Sequence, residues 1–213
     1  MGALSREEFD AIEFDAAASG DHQAAAQRMS TLAVTGTQTD SMPRAEAFLR
    51  AGEQWLLADD PDAAANGFRM AMADGGPAFV DPRVPLARAL FQLGRSSEAY
   101  DLIGKLKSEG RNDPRVCDLI AELLVDCADL QEALDWATAG VELCLRSRAD
   151  ASAPPPGGSD DGQLESPAGR VSPPRGERPD DEAELLLLLR LRYRIRYDLG
   201  LPEDSYDQLL GDA

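Results

Sequence analysis

Small residues recur at a 34-residue interval in the middle of this chain: Ala87 with Ala121 and, separately, Ala99 with Ala133. Larger apolar residues repeat with the same step, Leu86 with Ile120 and Leu90 with Leu124. A period of that length marks an array of supersecondary units that bury their apolar faces by stacking on one another. Local chemistry agrees with the period. Asp59-Asp60-Pro61-Asp62, Gly94-Arg95-Ser96-Ser97-Glu98 and Asp126-Cys127-Ala128-Asp129 fall where one helix must stop and the next begin. Glycine ends helices in the left-handed conformation, and Asp or Ser caps the following N-terminus. Asp81-Pro82 and Asn112-Asp113-Pro114 part successive units, because proline disfavours helix at the residue before it. No segment of 45–146 sustains strand alternation, so the expectation is an all-α chain of antiparallel hairpins.

These residues and their spacing resemble the tetratricopeptide repeat, and the chain as a whole resembles the short tetratricopeptide proteins of actinobacteria. The resemblance implies a right-handed α-solenoid of stacked antiparallel helical hairpins, used as an interaction surface. In that pattern small residues at positions 8 and 20 let two helices approach, and apolar residues at 4, 7, 11, 24 and 27 fill the space around them. A unit starting at Ala45 supplies Phe48, Ala51, Gly52, Trp55, Ala64, Phe68 and Ala71. One starting at Val80 supplies Leu86, Ala87, Leu90, Ala99, Ile103 and Leu106; one starting at Pro114 supplies Cys117, Ile120, Ala121, Leu124, Ala133 and Ala137. Arg83 and Gly140 depart from the pattern. The first step exceeds 34 by one residue, assigned to the loop near Gly75-Gly76-Pro77.

The flanks divide by composition. Residues 1–44 read as a degenerate capping hairpin, with Phe9, Ile12, Ala16, Ala25, Met29 and Leu32 in apolar positions and Gly20-Asp21 as its turn. Three repeats occupy 45–148. Residues 149–180 hold half of the chain's 14 prolines, with Leu164 and Val171 as the only large aliphatics. Such a stretch buries too little apolar area to offset its ordering entropy and reads as a disordered insertion before the last hairpin. In 181–213, Leu191-Arg192-Tyr193-Arg194-Ile195-Arg196-Tyr197 alternates strictly, which taken alone suggests a strand. The expectation is nonetheless a helix followed by a short second one, since an isolated strand beside helices has nothing to pair with. Arg192 and Arg196 then fall at positions normally apolar, and Leu189, Tyr193 and Leu199 face the preceding hairpin.

Composition restricts function. The net charge of −18 is spread over every region and repels nucleic acid and anionic lipid. No apolar run is long enough to span a bilayer, and Arg6, Glu7, Glu8 and Asp10 interrupt any signal-peptide core. Cys117, Cys127 and Cys144 lack metal spacing and read as buried helical thiols in a cytoplasmic protein. His22 is the only histidine and is placed in a solvated turn, so no His-based catalytic or zinc site can be assembled. No phosphate-binding glycine loop is present. The chain is therefore expected to be non-catalytic, with no cofactor and no metal.

The resemblance also implies where a partner binds: helix A positions 2, 5, 9, 12 and 13, lining a concave groove. The residues that matter most there are Leu49, Glu53, Leu56 and Leu57 in the first repeat, Val84, Arg88 and Phe91 in the second, and Asp118, Glu122 and Val125 in the third. The Lys/Asn set with which chaperone-binding members hold a terminal carboxylate is missing. An acidic and apolar groove instead suits a protein or peptide segment carrying basic and apolar residues; ordinary solvated faces would read the same way. Arg190 and Arg194, one turn apart, could grip a phosphate or carboxylate, or could be neutralised internally by the carboxylates that flank them.

Overall fold

A computed structural model describes residues 2–110, 113–152 and 179–210. Among them are ten α-helices and no strand; a single bridge pairs Ala3 with Thr37. The helices are α1 Arg6–Ser19, α2 His22–Thr35, α3 Arg44–Leu57, α4 Pro61–Asp74, α5 Arg83–Gln92, α6 Ser96–Glu109, α7 Pro114–Asp126, α8 Leu130–Ser152, α9 Pro179–Asp198 and α10 Ser205–Gln208. They divide into two compact units, 1–112 and 113–213. Within each unit, helices adjacent in sequence pack against one another.

The turns carry the repeat most clearly. Asp59, Gly94, Ala128 and Gly200 lie in the left-handed region, at φ of 58°, 71°, 60° and 67°. In each turn the next residue's N–H donates back five positions: Asp60 to Trp55 O, Arg95 to Leu90 O, Asp129 to Leu124 O and Leu201 to Arg196 O, at 2.8–3.0 Å. The left-handed residue itself donates to the carbonyl three before it, at 2.9–3.1 Å. This double closure is the Schellman motif. It recurs in four hairpins, two of them without the glycine that the conformation favours. The α1–α2 turn is different: Gly20 makes one bond, to Ala16 O.

Helix starts follow from capping. Asp21, Asp60 and Asp113 accept the N–H three residues on, Pro61 and Pro114 occupy the first helical turn, and Asp204 and Asp207 form a reciprocal capping box. Ser96 and Ser97 do not cap α6; the preceding Arg95 grips Glu98 with two bonds of 2.7 Å.

In the first unit Phe9, Ile12, Met29, Met42 and Phe48 build one buried cluster, with Leu4 closing it from the N-terminal side. A Cβ on Gly52 would lie 2.5 Å from the Phe68 ring, so glycine is what lets α3 and α4 meet there. In the second unit Val141, Cys144, Leu185, Leu188 and Leu189 form the corresponding cluster. Both departures from the repeat pattern have physical reasons. A Cβ on Gly140 would stand 2.8 Å from Leu188 and 2.9 Å from Cys117 Cβ, so its absence makes room for α9. Arg83 is held by Asp81 at 2.7 Å and Glu109 at 2.8 Å, tying the start of α5 to the end of α6.

Several expectations change. Helix α8 continues to Ser152 and α9 starts at Pro179, so both ends of the stretch read as a disordered insertion are helical; 153–178 lie outside the described residues. Val80 precedes α5, which starts at Arg83. The alternating Leu191–Tyr197 run is helical throughout, and Tyr193, expected to face the preceding hairpin, is 40% exposed. Cys117 and Cys144 are buried, whereas Cys127 is half-buried and caps α7. His22 is half-buried, its Nδ1–H donating to Gln54 Oε1 at 2.9 Å. No described helix is long and apolar enough to cross a membrane.

Candidate functional site

Two recesses, one in each unit, gather six of the twelve expected site residues. The first, about 550 Å³, opens between the α1 and α3 side chains and the loop that follows α4. Leu49 lies in its floor, Glu46 and Glu53 stand on α3, Asp10 and Glu13 on α1, and Phe79 on the rim. Glu46 accepts the Phe79 N–H at 2.7 Å, which holds the rim residue while its ring stays 72% exposed.

The residue that organises this recess is Arg50, which the repeat pattern does not single out. Its Nη2 lies 2.5 Å from Glu13 Oε2 and 2.6 Å from Asp10 Oδ1, its Nε donates to Glu13 Oε1 at 2.8 Å, and its guanidinium lies 5.6 Å from the centre of the Phe9 ring. Burial opposes its charge, but the bonds it donates to Glu13 and Asp10 more than offset this and hold its proton more tightly than usual. One of the two charges of Asp10 and Glu13 is thereby offset, whereas Glu53 has no such ion pair among the described residues. Glu53 is exposed at the mouth of the recess, but the crowding of protein around its carboxyl, then the nearness of Glu13 and Glu46, pushes that carboxyl up to about 7. The recess therefore offers excess negative charge beside an aromatic ring.

The second recess, about 280 Å³, is lined by Asp118 and Glu122 of α7 and by Leu187, Arg190, Leu191 and Arg194 of α9. Four expected site residues meet here. Burial, with Glu122 and Glu184 nearby, pushes the Asp118 carboxyl up to about 6. No ion pair or hydrogen bond of Arg190 or Arg194 is found among the described residues. Internal neutralisation falls instead to the other two arginines. Arg192, 4% exposed, contacts Asp204 at 2.5 Å and Asp207 at 3.0 Å, donates to Thr138 Oγ1 at 3.0 Å, and lies 4.7 Å from the Tyr206 ring centre. Arg196 reaches the same carboxylates at 3.1 and 3.0 Å and also bonds Pro202 O. The Arg192 bond foremost holds the Asp204 carboxyl down to about 2.

Other expected groove residues are placed differently. Leu49 and Val84 are 2% and 6% exposed and belong to the core. Leu49 is next to Arg50, which ties α3 to α1, and α5, which carries Val84, packs against both α4 and α6. Arg88 and Val125 are half-buried, as is Leu56, while Leu57 is 61% exposed. Phe91 packs edge-on against Tyr100 at 5.2 Å. None of Leu56, Leu57, Val84, Arg88, Phe91 and Val125 lines either recess. Among the described residues no group of three or more His, Cys, Asp or Glu is placed to hold a metal ion. Burial pushes the Cys117 thiol up to about 12, which leaves it unreactive at neutral pH.

No protein family, curated protein or solved structure matches this chain.

Proposed function

We propose that the chain is a non-catalytic interaction protein built from tetratricopeptide-like hairpins, and that its first unit binds a partner segment carrying basic and apolar residues. The single observation that carries this reading is the α1–α3 recess, in which Glu46 and Glu53 stand beside the exposed Phe79 ring. A Lys or Arg side chain entering it would meet carboxylates at its head and lay its stem, or its charge, against the ring. The repeated Schellman turns support the tetratricopeptide reading, since they return at Asp59, Gly94 and Ala128 with the period of the small residues. The anchoring of α9 by Leu185, Leu188 and the Arg192–Asp207 pair favours a C-terminal helix that stays docked over one released by a partner.

Fluorescence anisotropy on labelled peptide pools of matched apolar content, basic in one and acidic in the other, tests the proposal. The basic pool should bind, and Glu53→Lys combined with Phe79→Ala should weaken it at least about tenfold. Equal binding of both pools, or binding that the double variant leaves intact, would refute it.

A further inference from the structure

Helix α9 presents a solvent face whose residue types are those that dominate protein interfaces. Arg190, Tyr193, Arg194 and Tyr197 are spaced i, i+3, i+4 and i+7, and all four are exposed; Leu187, one turn earlier, is 57% exposed. Tyr and Arg are enriched among the residues that carry most binding energy, so a run of them that no other described residue covers needs a reason. This face continues into the recess against α7, where Asp118 and Glu122 are also one turn apart.

The two rows have opposite sign and line the same recess, yet no ion pair joins them. That pattern discriminates among occupants. An acidic helix would satisfy the arginines and be repelled by Asp118 and Glu122; a basic one would meet the reverse conflict. A partner that carries both rows side by side satisfies all four groups, and a second copy of this chain is such a partner. Under two-fold symmetry residue i meets j while j meets i, so the arginine row of each copy lies over the carboxylate row of the other.

We propose that the α7–α9 face, with Leu187 in the recess, the Arg190/Arg194 and Asp118/Glu122 rows crossing reciprocally, and Tyr193 and Tyr197 on the outer flank of α9, is the contact of a two-fold homodimer. The proposal uses a different face from the peptide recess of the first unit, and either can fail without the other.

Sedimentation equilibrium on the full chain across micromolar concentrations tests it. Wild type should dimerise. Arg190→Glu with Arg194→Glu places like charges at both crossings, as does Asp118→Arg with Glu122→Arg, so each double variant alone should dimerise at least about tenfold more weakly. Mixed in equal amounts, the two double variants restore opposite charges at every crossing and should form a heterodimer near wild-type affinity. Circular dichroism establishes that each remains helical, and Arg194→Glu paired with Glu122→Arg gives the same swap should Asp118→Arg not fold. A monomeric wild type, variants that dimerise like wild type, or variants that fail to rescue one another would each overturn the proposal.

Discussion

Each unit contains one buried arginine gripped by two carboxylates and laid near an aromatic ring, but the two perform different work. Arg50 joins α3 to carboxylates of α1, and its partners keep one side in water: the Asp10 and Glu13 side chains are 58% and 29% exposed. Arg192 closes on Asp204 and Asp207, which begin the four-residue α10; Asp207 and Arg192 are each only 4% exposed. A charge pair at the edge of a recess can lose a member and let water replace it. One sealed from water cannot, because the survivor stays desolvated and unpaired. The first arrangement suits a surface that must accept a ligand, and the second fixes a hairpin whose second helix is too short to hold itself by packing.

The largest expected contrast follows from that difference. Asp207→Ala should cost roughly 2–3 kcal/mol, because Arg192 and Arg196 lose their buried carboxylate and keep only the partly exposed Asp204, whereas Asp10→Ala should cost less than about 1 kcal/mol because Glu13 still holds Arg50 through two bonds. Urea denaturation of the two variants measures both, and equal losses would break the comparison.

Next in size are the close helix approaches. Gly140→Val should destabilise the second unit by about 1–3 kcal/mol, because its side chain must displace Leu188, and Gly52→Val should do the same in the first against Phe68. Hydrogen exchange reports which unit loosens in each case.

The acidic limbs should then separate the units by pH. Asp204 is held down to about 2, so its contribution is present above its unfolded value near 4 and is lost as pH falls toward 2. Glu53 has the opposite sign. Its folded carboxyl binds a proton more readily than its unfolded one, so stability falls as pH rises from about 4.5 to about 7 and levels off above. Thermal melts of Glu53→Gln should lose part of the slope in that upper window, most visibly between about 6 and 7 where Asp118 contributes least, and those of Asp204→Asn should lack part of the acid loss below 4.

The smallest effect concerns a turn. Ala128 sits at φ 60°, where a Cβ costs about 1 kcal/mol, so Ala128→Gly should stabilise the α7–α8 hairpin by up to that amount. Asp59→Gly should gain less, since aspartate tolerates this region better than alanine. A melting-temperature comparison is sufficient to rank them.

What could be read from the sequence was local. Asp60-Pro61 and Asp113-Pro114 announce helix starts, Gly94 and Gly200 announce ends, and the 34-residue step aligns the hairpins between them, because caps, turns and small-residue contacts are each written within a few residues. The candidate sites were legible where lining residues fell at recognised positions, as with Leu49 and Glu53 in the first recess and Asp118, Glu122, Arg190 and Arg194 in the second. Arg50 was missed because its partners lie 37 and 40 residues away on a helix outside the strong repeats. Arg192 looked misplaced because a charge at an apolar position becomes reasonable only once Asp207 is seen beside it. Phe79 belongs to the loop after α4, where no period operates.

The four matching turns have a kinetic corollary. Each is closed by backbone groups lying within six residues, and the helices that it joins pack mainly on their neighbours in sequence. Little chain must be drawn together before such contacts form, so the hairpins belong to the fast-folding regime of low contact order. Their closure asks of the turn residue little more than a positive φ, which explains how Asp, Gly and Ala can all occupy the position. Substitution there should therefore change the rate at which a hairpin opens more than the set of contacts it forms.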